Sequence, residues 1–201
     1  MRAGALNARN LSASLAALLA LISGSVAAQT AIRPDVGDIR ALGTTVSQLG
    51  RVFIIDGGTL AGSNLFHSFS AFNLGQGDTA AWTRAAGAVQ VRNVISRVTG
   101  GQISQIGGTL DSTGLPNASF IFVNPAGVLF TAGARVNVPG AAWFSTAGEV
   151  RFADSSRFEV ATPTGSTLSM AAPQSFGFVG GQGAIEIRDV GADFASSANV
   201  L

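Results

Sequence analysis

Residues 117–145, NASFIFVNPAGVLFTAGARVNVPGAAWFS, hold three short apolar runs separated by two turn-forming links. The runs are 120–123 (FIFV), 128–130 (VLF) and 136–138 (VNV), and the links are Asn124-Pro125-Ala126-Gly127 and Thr131-Ala132-Gly133-Ala134. Each run is too short for a helix and rich in β-branched and aromatic residues, so each reads as a strand. In Asn-Pro-Ala-Gly the Asn side chain can bond the backbone ahead of it. Pro presets φ at the first corner, and Gly accepts a positive φ at the exit. Strands this short and this often punctuated do not build a wide sheet by hairpins alone. They suit the sides of a repeatedly winding coil, so the stretch predicts an all-β, parallel β-helix.

The first 28 residues read as an export signal. Arg2 and Arg9 give a positive start, 11–22 (LSASLAALLALI) an apolar segment, and 23–28 small residues ending in Val26-Ala27-Ala28. Cleavage is expected before Gln29, with the bond after Ala27 nearly as suitable. The apolar run falls short of the roughly 20 residues that span a bilayer, so no stable membrane insertion is expected. Removing Arg2 and Arg9 from the 12 basic residues leaves 10 against 11 acids, so the formal charge moves from +1 to −1. The pI of about 9.0 therefore belongs to the precursor, and no nucleic-acid partner is expected. The remaining residues, 29–201, suit one domain with a sizeable core. With no Cys, disulfides and thiolate chemistry are excluded.

Residues 31–48 are weakly patterned and fit a cap over the first open end of a solenoid. A strand is expected over 51–55, ended by Asp56-Gly57-Gly58. The spacing of Phe66, Phe69 and Phe72 is ambiguous between a helical turn and a loop packed on the core. Residues 81–87 read as loop, and Val89, Val91, Val94 and Ile95 as the start of another strand. Residues 102–110 alternate Ile103, Ile106 and Leu110 with polar and Gly positions. Later strands are expected at 149–152, 157–160, 175–179 and 184–187. The end at Leu201 carries no obvious closing cap, which predicts either continuation in a longer protein or a truncated copy.

Three segments occur in a telling order: Asn64-Leu65-Phe66-His67-Ser68-Phe69, Asn93-Val94-Ile95-Ser96-Arg97-Val98-Thr99-Gly100, and Phe122-Val123-Asn124-Pro125-Ala126-Gly127-Val128-Leu129-Phe130. Over roughly residues 36–178 the chain resembles the N-terminal secretion domain of two-partner secretion exoproteins, the filamentous haemagglutinin or haemagglutination activity domain. The resemblance implies a right-handed parallel β-helix with an N-terminal cap and extra-helical strands. It also implies export to the periplasm and recognition by the POTRA domains of an outer-membrane β-barrel transporter, then passage to the cell surface. Family members carry adhesins, haemolysins, haem-scavenging proteins or contact-dependent toxins downstream. Host-cell or matrix glycans or proteins would be met through such a passenger. The family's usual Asn-Pro-Asn-Gly turn is Asn-Pro-Ala-Gly here, and the family's usual long passenger is not among these 201 residues. The residues placed in partner recognition or in the motif turn are Asn64, Phe66, His67, Phe69, Asn93, Arg97, Asn124, Pro125 and Gly127.

No residue reads as catalytic, cofactor-binding or metal-ligating. His67, the only histidine, has no nucleophile or metal partner at a useful spacing and reads as a structural residue packed beside Phe66 and Phe69. The acids are scattered, with Asp35 and Asp38 the closest early pair and Asp189 and Asp193 the closest late pair of aspartates. Arg97 and Arg135 read as solvated arginines, with pairing to a partner's acids as the functional alternative. Gly75-Gln76-Gly77 and 180–183 (GGQG) lack the strand-to-helix context of a nucleotide loop. The expected function is that of a non-enzymatic secretion signal and folding nucleus. The alternatives are a free-standing adhesin or carbohydrate-binding β-solenoid and, after it, a β-helix polysaccharide lyase, which would need clustered acids for Ca²⁺.

Overall fold

The computed structural model describes residues 29–84 and 90–188, with the backbone of 193–194 and 198–200. The expected export signal, the expected loop residues after 84, Val89 and Asp189 lie outside them. The strands, in chain order, are β1 (Ala31–Pro34), β2 (Thr44–Leu49), β3 (Val52–Gly57), β4 (Thr59–Ala61), β5 (Asn64–Asn73), β6 (Thr79–Trp82), β7 (Asn93–Val98), β8 (Ser104–Ile106), β9 (Thr109–Asp111) and β10 (Ser119–Val123). They continue as β11 (Val128–Phe130), β12 (Arg135–Asn137), β13 (Ala142–Ser145), β14 (Glu149–Phe152), β15 (Arg157–Glu159), β16 (Pro173–Gly177), β17 (Ile185–Ile187), β18 (Asp193–Phe194) and β19 (Ala198–Val200). Among the described residues no helix is long and apolar enough to cross a membrane.

The chain winds into a β-solenoid of about three turns. Its long face stacks β5, β7, β10, β13 and β19 in parallel, with β1 antiparallel outside β5. The second face stacks β8, β11 and β17, and the third β3, β6, β9, β12 and β18, with β2 antiparallel outside β3. The N-terminal end is therefore closed by β1 and β2, as the weak patterning of 31–48 predicts. Leu74 bridges Ile106 and starts the second face.

The register sets the core. Leu65, Val94, Phe120 and Ala142 stand in one row across the long face, and all are buried. Aromatic rings fill the lumen between turns: Trp82 meets Phe120 at 4.7 Å, Phe72 meets Phe122 at 5.0 Å, and Phe130 meets Phe144 at 5.0 Å. These edge-on pairs add to the area they bury. Phe66, Phe69 and Phe72 lie on one ten-residue strand, neither helix nor loop. Pairing with β1 skips Ser70. This β-bulge places both Phe69 and Phe72 inward, so their spacing imitates a helical turn.

Between β13 and β17 the chain leaves the solenoid. β14, β15 and β16 form an antiparallel sheet in the order β15-β14-β16. Phe152, Phe158 and Val150 pack down on Phe66, Ile95, Ile121 and Val123, the outward residues of the long face. The long face is thus covered on both sides, which explains why Phe120, Ile121, Phe122 and Val123 read as an unbroken apolar run.

Candidate functional site

The three motif segments lie side by side on the long face. Asn64 stands opposite Asn93, and Asn93 opposite Ser119. Asn93 Nδ2 donates to Asn64 Oδ1 at 2.8 Å. Asn64 Nδ2 in turn donates to the carbonyls of Ser169 at 2.9 Å and Ala171 at 2.7 Å. These carbonyls belong to the segment leading into β16, so a single buried amide pins the extra-helical unit to the solenoid.

A second anchor sits at the other end of the same strands. Arg97 is only 1% exposed, so the expectation of a solvated arginine is wrong. Its Nε donates to Ser68 Oγ at 2.7 Å, and its Nη1 donates to Glu159 O at 2.6 Å and to Ser166 Oγ at 2.7 Å. Its Nη2 reaches Arg40 O at 3.3 Å, and the guanidinium lies 4.4 Å from the centre of the Phe158 ring. Ser68 Oγ donates to Asp35 Oδ2 at 2.6 Å, and Thr99 Oγ1 donates to the same carboxylate at 3.0 Å. Burial pulls the Arg97 pKa down to about 10, against the opposing pull of Asp35. Arg97 remains charged at neutral pH. The planar fork satisfies acceptors from the N-terminal cap, the solenoid and the extra-helical unit at once, which a lysine cannot do.

The third anchor is the Asn-Pro-Ala-Gly corner. Gly127 N donates to Asn124 O at 3.0 Å, and Ala126 N donates to Asn124 Oδ1 at 3.0 Å, so the expected turn is formed. Asn124 Nδ2 reaches the turn before it, donating to Gln102 O and Ser104 Oγ, both at 2.9 Å. The chain returning from the extra-helical unit lands on this corner: Gly183 N donates to Pro125 O at 2.8 Å, and Val128 N donates to Ala184 O at 3.0 Å. Gly127 has φ 124°, where only glycine is at ease, and a Cβ on Gly183 would stand 2.1 Å from Ala126 O. The corner departs from the family's Asn-Pro-Asn-Gly at Ala126, which is half-buried.

His67 is fully buried, 6.3 Å from Phe69 ring to ring, with Nδ1 3.3 Å from Thr44 Oγ1 of the cap strand β2. Burial lowers its pKa to about 4. Asn64, Phe66, His67, Phe69, Arg97 and Asn124 are each at most 1% exposed; Gly127 is also buried, whereas Asn93 and Pro125 are half-buried. In the folded chain most motif residues therefore lie inside the fold, where their polar atoms bond other parts of the same chain. Sequence reasoning missed Asp35, Ser68, Thr99, Ser166 and Gly183. Ser68 lies inside a motif segment, and Gly183 inside a Gly-rich link, so part of that signal was present. Among the described residues no three of His, Cys, Asp and Glu come together as metal ligands.

A parallel β-solenoid with antiparallel cap strands and one extra-helical sheet, pinned by motif residues at three points, defines the class of scaffold. The chain belongs to the TPS secretion domain family, which it matches over residues 8–199. It is thus the secretion domain of a two-partner secretion exoprotein, a kind of protein exported across the outer membrane with a dedicated transporter. No curated protein matches it.

Proposed function

We propose that this domain is the export signal and folding nucleus of its exoprotein. After signal cleavage near Gln29 it would be recognised in the periplasm by the POTRA domains of the outer-membrane β-barrel transporter and delivered to the cell surface, where a passenger serves adhesion to host-cell or matrix ligands. The observation that carries this reading, beside family membership, is the direction built into the solenoid. β1 and β2 close the N-terminal edges of two faces with antiparallel strands, so each later turn pairs on the one before it. A nucleus closed behind and extended ahead suits a chain that folds as it emerges.

The test is secretion of the chain from a Gram-negative host with and without its cognate transporter. Appearance in the medium only when the transporter is present is the expected outcome. Release without it overturns the reading. Asn124→Ala, checked first for folding by circular dichroism, then reports whether the corner is needed for export.

A further inference from the structure

The cap over the N-terminal end of the solenoid has a seam, and His67 lies beneath it. Two different strands cover the outer edge of β5: β4 pairs with residues 64–66 and β1 with 69–73. Residues 67 and 68 fall between them. There Thr44 of β2 closes the gap, its Oγ1 accepting from Ser68 N at 3.2 Å and standing 3.3 Å from His67 Nδ1. The glycine corner between β3 and β4 completes the cover. Gly58 N donates to Gly43 O at 3.0 Å, and Gly58 lies so close to the ring that a Cβ there would stand 2.8 Å from His67 Cε1. On the other side of the seam β1 has its own anchor: Asp35 N donates to Ser68 O at 3.0 Å, and the Asp35 carboxylate accepts from Ser68 and Thr99.

Because the Thr44 oxygen already accepts from Ser68 N, its own proton can point at His67 Nδ1. The neutral ring then accepts at Nδ1 and carries its proton on Nε2, which has no hydrogen-bond partner among the described residues. A second proton makes Nδ1 a donor against that same hydroxyl, inside a site where His67 is fully buried. Of the charged groups around the ring, Asp56 at the end of β3 favours the added charge and Arg84 after β6 opposes it. Strands β2 and β4 carry no ionisable residue. Asp35 and Arg97 are both bonded to Ser68, and Asp38 pairs with Arg40.

We propose that this seam is an acid-operated hinge in the cap: when His67 takes a proton, the half made of β2, the glycine corner and β4 lifts off the ring, while β1 stays docked. Lifting bares the outer edges of β3 and of the start of β5, so the closed end of the solenoid becomes a pairing edge in acid. The open ring titrates near 6.5 and the closed ring near 4. Opening therefore becomes easier as pH falls through the upper value, and the gain is complete below the lower one.

The test is hydrogen exchange of the mature chain, without a histidine tag, across this range. Protection of residues 44–49 and 57–61 is expected to fall at least about tenfold between about pH 7 and pH 5, while that of 31–35 holds. His67→Gln should abolish the fall. Thr44→Val, which removes the hydroxyl and keeps the ring, should speed exchange over the same residues already at neutral pH. An equal loss over 31–35 would show that the Asp35 anchor or the whole fold gives way, and overturns the proposal. So does an undiminished fall in His67→Gln, or neutral-pH exchange that Thr44→Val leaves unchanged.

Discussion

Asn64 and Asn93 stand directly opposite each other on neighbouring turns of the solenoid, joined by a 2.8 Å hydrogen bond between their side chains. The bond orients the Asn64 amide so that both its protons face outward, toward the carbonyls of Ser169 and Ala171. Asn93 thus positions Asn64, and Asn64 holds a segment more than a hundred residues away in the chain.

Asn64→Ala leaves two carbonyls of the 169–171 segment without their donor. The expected loss is about 2 kcal/mol, the cost of stranding buried acceptors. Asn64→Asp should be worse, because a carboxylate would face those carbonyls. Urea unfolding gives the magnitude. Faster amide exchange confined first to 166–177 would place the defect in the extra-helical unit.

Arg97→Lys keeps the charge and loses the fork. Ser68, Glu159, Ser166 and Arg40 all depend on that fork, so the substitution should cost at least about 2 kcal/mol. Because the guanidinium joins cap and extra-helical unit, protease sensitivity should rise in both. A rise limited to one of them would show that the other is held independently.

At the corner, Asn124→Ala removes the side-chain bonds to Ala126, Gln102 and Ser104 and should lower stability by about 2 kcal/mol. Gly127→Val should cost more, since φ 124° is closed to β-branched residues. Gly183→Ala tests the landing separately: its methyl meets the carbonyl of Ala126, so the return from the extra-helical unit should loosen while the turn itself persists. Thermal denaturation orders the three.

His67 provides an acid-sensitive element. Its pKa falls from 6.5 to about 4 in the fold, mainly through burial, with Asp56 opposing and Arg84 reinforcing the shift. The unfolded imidazole therefore takes its proton first. Stability present above pH 6.5 is lost as pH falls toward 4, by a total of about 3 kcal/mol. His67→Leu should flatten the stability profile between those two values whatever its effect at neutral pH. An unchanged slope would show that carboxylates, not His67, set the acid limit.

Short β-branched and aromatic runs, each ended by Gly, Pro, Asn or Asp, were enough to specify strands, turns and a winding solenoid. Asn124, Pro125 and Gly127 carry their turn chemistry within four residues, so local sequence contains all the needed information. The ordered motif segments likewise placed the family. What local pattern cannot hold is pairing across distance. The bulge at Ser70 depends on β1, and it made a strand look like a helical turn. Arg97 looks like any surface arginine until the 157–166 segment folds over it, because its burial is set by a sheet that the chain reaches some sixty residues later. The unpaired side of β16 among the described residues is likewise invisible in sequence, because it follows from the order β15-β14-β16 of the extra-helical sheet. Local chemistry decides which segments become strands and where they turn. Only the stacking of distant turns decides which polar side chains are buried and which edge stays open.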